Sequence, residues 1–118
     1  MNDDDPFDPI ARRLTTPAQC GVYLARNEIV VLARLHDASL RMGERRRMLV
    51  DVWKSAGSPA ELEAVVVRLA DFCRESAARY RELAEAYPGA AALLTPWITK
   101  AEATITALEA LAEDVHDG

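Results

Sequence analysis

Ser58-Pro59-Ala60-Glu61-Leu62 opens, and Leu83-Ala84-Glu85-Ala86-Tyr87-Pro88-Gly89 closes, the stretch whose reading decides the fold. Ser58 at a helix N-cap accepts a hydrogen bond from the free amides of the first turn, and Pro59 at the first helical position lacks an N–H that has no partner there anyway. Glu61, three residues after the cap, completes a capping box. Between these marks Leu62, Val66, Leu69, Cys73, Ser76, Tyr80, Leu83 and Tyr87 recur at alternating steps of four and three residues. That is the 3.5-residue period of a left-handed supercoiled seam, so the segment from Pro59 to about Ala86 is expected as a helix that needs another beside it. Pro88 and Gly89 end it, one unable to continue a helix and the other suited to a turn.

The expected partner lies immediately downstream. Leu94, Ile98, Ala101, Ile105, Leu108, Ala112 and Val115 repeat the four-and-three spacing. Thr95-Pro96 marks a third helix start at Pro96, or a kink if that helix begins near Ala90. The short connection makes the two helices antiparallel neighbours. Upstream, Thr16-Pro17-Ala18-Gln19 is a further capped start, and a first helix is expected from Pro17 to about Ser55, with Gly57 as its stop. Its weak point is Gly43, since an interior Gly costs roughly 1 kcal/mol relative to Ala. The predicted fold is all-α: an elongated antiparallel three-helix bundle with coiled-coil-like packing, or four helices if the first breaks near Gly43.

The 118 residues, half of them hydrophobic and only 6% aromatic, suit one domain of closely packed helices. Residues 16–118 form the expected bundle. Residues 1–15 make an acidic N-terminal segment that is expected to be disordered over its first five residues, and in which Phe7, Ile10 and Leu14 are spaced to dock one or two helical turns. The net charge is −5, and eight of the 19 acidic residues stand near the ends, at Asp3, Asp4, Asp5, Asp8, Glu109, Glu113, Asp114 and Asp117. The middle of the chain is therefore mildly basic, while the acidic whole disfavours nucleic acid as a partner. Met-Asn-Asp-Asp-Asp has no cationic or apolar leader, and no apolar run approaches the ~18 residues of a membrane span, so a cytoplasmic protein is expected. Cys20 and Cys73, each among apolar neighbours, read as free buried thiols.

No nucleophile–base set, Gly-rich phosphate loop or metal-ligand spacing is present, so catalytic residues, cofactors and metals are not expected. His36 and Asp37 are adjacent and diverge on a helix, and His116 falls in a tail expected to fray. Two features of the first helix point outward instead. Its apolar arc is wide: Leu24, Val31, Leu35, Ala38 and Met42 make one stripe, and Val22, Ile29, Leu32, Leu40 and Val50 an adjacent one. With the first against the bundle, Val22, Ile29, Leu32, Leu40 and Val50 become the candidate binding or oligomer surface. The second feature is the basic patch Arg41, Arg45, Arg46 and Arg47, with Arg41 and Arg45 on one helical face. Its candidate counterions are the acidic ends of the chain, and Trp53 and Trp97 are expected in the core or at an interface.

From Leu49 to Ile105 the layout Leu49-Val50-Asp51-Val52-Trp53, then Ser58-Pro59-Ala60-Glu61-Leu62, a long Ala- and Arg-containing helix to Leu83–Tyr87 and a further amphipathic helix resembles the phasin family. Phasins are small helical proteins that coat polyhydroxyalkanoate storage granules. Unlike them, this chain has a single Gln, Gln19, and only Phe7 and Phe72. The resemblance implies a non-enzymatic scaffold that binds a polyester surface through apolar helix faces, as an interfacial helix lies on lipid, while the two heptad seams and the surplus apolar arc of helix one point to a homo-oligomer. The alternative is a helical adaptor or chaperone that grips one partner protein through the apolar stripe of helix one.

Overall fold

The computed structural model describes residues 7–35 and 40–117. The expected disorder of residues 1–5 and the placement of His36, Asp37 and Ala38 lie outside them. Among the described residues the chain is helical without strands: α1 (Asp8–Leu14), α2 (Pro17–Cys20), α3 (Arg26–Arg34), α4 (Arg45–Ser55), α5 (Pro59–Ala86), a 3₁₀ turn (Pro88–Ala90) and α6 (Ala91–Asp117). α5 and α6 form the long antiparallel hairpin that the matched seams predict. The cross-links Glu63–His116, Arg74–Glu109 and Arg81–Glu102 record its sense, falling in α6 as they rise in α5. With 28 residues α5 is about 42 Å long, close to the 46 Å longest extent of the molecule.

Seam residues Val66, Leu69, Cys73 and Ser76 are buried, as are Ala101 and Leu108 across from them. Ser58 caps α5 by accepting from the Glu61 amide at 3.2 Å, and the Glu61 carboxylate accepts from the Gly57 N–H at 2.6 Å. Thr95 is not a cap. Its hydroxyl donates to the Ala91 carbonyl one turn back, and Pro96 lies inside α6.

The first helix is not continuous, and the three-helix arrangement is corrected accordingly. It is interrupted between Gly21 and Ala25 and again before Arg45, where residues 40–44 are non-helical. The first interruption has a local cause. Gly21 adopts φ +81, the left-handed conformation that Gly takes without the Cβ penalty, and terminates α2. Neither restart carries a side-chain cap, Ala25 preceding α3 and Glu44 preceding α4.

The short helices wrap one part of the hairpin. α1 packs on α2 and α4, α3 on α4, and α2 on α6. Phe7 stacks flat on Trp53, ring centroids 4.3 Å apart, joining the N-terminal segment to α4. Phe7, Ala11, Leu14, Cys20, Val22, Leu24, Ile29, Leu32, Met48, Leu49, Val52 and the hairpin seam make one continuous core. Cys20 and Cys73 are free and fully buried in it.

Candidate functional site

Breaking the first helix rotates its pieces independently, and this exchanges the roles of its two apolar stripes. Val22, Ile29 and Leu32 lie in the core, and Leu40 and Val50 pack against it half-buried. Of the five residues expected to form that surface, three are therefore interior and two are partly covered. Val31 (41% exposed), Leu35 (48%) and Met42 face outward instead, while Leu24 of the same stripe is buried.

A second set of exposed apolar side chains lies at the hairpin end. The last buried residue of α5 is Ala77 and the first of α6 is Ala101, so the turn and about two helical turns on either side carry no buried side chain. Leu83, Tyr87 (64% exposed), Leu93 (74%) and Trp97 are exposed there, and the Lys100 ammonium sits 5.5 Å over the Trp97 ring. The supercoil pattern continues through Leu83 and Tyr87, but the wrapping helices stop short of them.

The wrap is fastened to the hairpin at Gly21. An added Cβ there would come 2.5 Å from the Trp97 carbonyl oxygen and 2.7 Å from the Ala101 nitrogen, so only Gly lets the two backbones approach. The Tyr80 hydroxyl donates to the Gly21 carbonyl at 2.7 Å, and the Thr104 hydroxyl to the Cys20 carbonyl at 3.1 Å. These bonds satisfy loop carbonyls that would otherwise be stranded, and they explain the buried Thr104. The Cys20 thiol donates to the Val22 carbonyl at 3.1 Å. Burial raises the pKa of both thiols, that of Cys73 to about 12.

The basic patch divides. Arg45 and Arg46 join Arg12 and Arg26 around an open cleft of about 660 Å³ between α1, α2 and the start of α4. Arg41 and Arg47 line a neighbouring groove with Glu44 and Asp51. Arg41 and Arg45 do not share a helical face, because Arg41 precedes α4 in non-helical chain.

Arg45 acts as a clasp. Its guanidinium donates to the Leu24 carbonyl at 2.9 Å and the Thr15 carbonyl at 3.2 Å, and lies 4.5 Å over the Tyr23 ring. Arg26 donates through Nε to the Gly43 carbonyl at 2.7 Å. Asp8, from the acidic N-terminal set, receives Arg46 at 2.7 Å and Arg12 at 3.0 Å. The Arg12 hydrogen bond, with Arg46 beside it, holds the Asp8 carboxyl below its ordinary range. Arg12, Arg26 and the Gly21 clasp were outside the residues that sequence pattern singled out.

His116 is within α6, with Nδ1 3.2 Å from the Glu63 carboxylate. Among the described residues no group of three or more His, Cys, Asp or Glu is placed to hold a metal ion, and no helix is long and apolar enough to cross a membrane. No protein-family model matches the chain, and no curated protein and no solved structure resembles it at a significant level.

Proposed function

We propose that this protein is a non-enzymatic helical scaffold that binds a hydrophobic surface through the end of its α5–α6 hairpin, in the manner of a granule-associated, phasin-like protein. The observation that supports this reading is the exposure of Leu83, Tyr87, Leu93 and Trp97 at a hairpin end that, among the described residues, the wrapping segment reaches only through Gly21 at the Trp97 backbone. Tyr and Trp suit an interface in particular, because each has an apolar body and a polar tip that remains in water. The resemblance spanning residues 49–105 includes this end and most of both helices. Self-association is the companion expectation, with the same end as its contact.

The test is co-sedimentation with polyhydroxybutyrate particles against polar silica of equal area. The wild-type protein is expected to bind the polyester saturably. The Tyr87→Asp/Leu93→Asp variant, altered only at exposed positions, is expected to fold normally and bind about tenfold more weakly or less, since each ~1.4 kcal/mol of lost apolar contact is a factor of ten. Equal binding by both proteins, or none by either, would remove the proposal.

A second reading has its own observation. Val31 and Leu35 expose an apolar edge of α3, beside a shallow dent floored by Leu32, Leu69 and Phe72. An adaptor that grips a partner protein would use that edge, and Val31→Asp would then abolish partner binding while leaving polyester binding intact.

A further inference from the structure

The cleft between α1, α2 and the start of α4 is independent of the hairpin end and chemically unlike it. Four guanidinium groups, from Arg12, Arg26, Arg45 and Arg46, converge on it, against Glu44 in its described lining and Asp8 bonded to Arg12 and Arg46 beside it. In a chain of net charge −5 this is a local reversal of sign. The guanidiniums are also held in place. Arg45 is fixed by two carbonyls and the Tyr23 ring, Arg26 by the Gly43 carbonyl, and Arg12 and Arg46 by opposite oxygens of Asp8. Arg12 and Arg26 make these bonds through Nε, which directs their terminal nitrogens to other acceptors. Planar guanidiniums anchored in this way match the paired oxygens of a phosphate group and lose little freedom on binding it.

We propose that this cleft binds a compact phosphate-bearing anion, with Arg12 and Arg26 as its direct contacts and Arg45 and Arg46 supplying fixed positive charge. Size and surroundings favour a small polyphosphate or phosphate ester over a nucleic acid. The cleft holds a few phosphate groups, and Glu44 and Asp51 in the adjoining groove interrupt any longer basic track. Thr15 and Thr16 already donate their hydroxyls to the Ala11 and Arg12 carbonyls, so Gln19 is the neutral side chain left to donate.

Isothermal titration of the full chain with sodium triphosphate, at ionic strength matched by sodium chloride, tests the proposal. Saturable binding near one per chain is expected, at least about tenfold weaker in Arg12→Gln/Arg26→Gln, as fits the loss of charge-assisted bonds. Arg81→Gln on the far hairpin is expected to bind as wild type does. Arg12 and Arg26 are exposed, and circular dichroism verifies that the double variant is folded. Absence of triphosphate binding, or equal affinity in the double variant, overturns the assignment. So does binding of a duplex oligonucleotide without binding of triphosphate, which would make the patch a polyanion track instead of a compact site.

Discussion

A methyl group at position 21 has nowhere to go. It would meet the α6 backbone at 2.5 and 2.7 Å, on a residue whose φ of +81 already disfavours a side chain. Gly21→Ala is therefore expected to destabilise the fold by more than the roughly 1–2 kcal/mol of the left-handed conformation alone. Gly43 is the control, because nothing lies within 4 Å of a Cβ there. Gly43→Ala is expected to be neutral or stabilising by up to about 1 kcal/mol through the unfolded chain. Urea midpoints of the two variants measure the contrast. Sequence pattern pointed to Gly43 as the weak position, whereas the structural demand falls on Gly21, because that demand comes from Trp97 and Ala101, some 80 residues away.

The buried thiols give a pH dependence at the same scale. Their ordinary value is near 9, and burial raises both, Cys73 to about 12. Above pH 9 the unfolded chain releases these protons while the folded chain retains them, so the unfolded state binds fewer protons and stability falls as pH rises. Stability is expected to be fully present below pH 9 and to decline toward pH 12, with Cys73→Ser reducing the slope. Denaturant titrations across that window follow it.

Among the helices, those legible in the sequence are those stabilised by near neighbours. α5 begins at Pro59 and ends at Ala86, as cap, period and Pro88 indicate, because each signal acts within one or two turns. α3 and α4 begin without caps and are held by contacts from afar, Arg26 to Gly43 and Arg45 to Leu24 and Thr15. No local pattern reports such contacts, and a continuous first helix was the consequence. Ser and Thr before Pro differ for the same reason. Ser58→Ala is expected to cost about 1 kcal/mol through its lost cap bond, while Thr95→Ala, whose hydroxyl only bonds back within α6, is expected to change the melting temperature little. The basic cleft was half legible: Arg45 and Arg46 stood out as a run, but Arg12 and Arg26 join them only through folding.

At the scale of the whole molecule, one part of a long hairpin is wrapped by short helices and its end is left bare. The buried residues, the Gly21 clasp and the Arg45 bonds all lie toward the wrapped part. Among the described residues the turn between α5 and α6 is held by those two helices, and it is expected to be the first part of the hairpin to open. Hydrogen exchange in the presence of polyhydroxybutyrate particles joins that property to the proposed function. Contact through the hairpin end is expected to slow exchange over residues 83–98 and leave the wrapped core unchanged; protection confined to α3, or no protection anywhere, would contradict it.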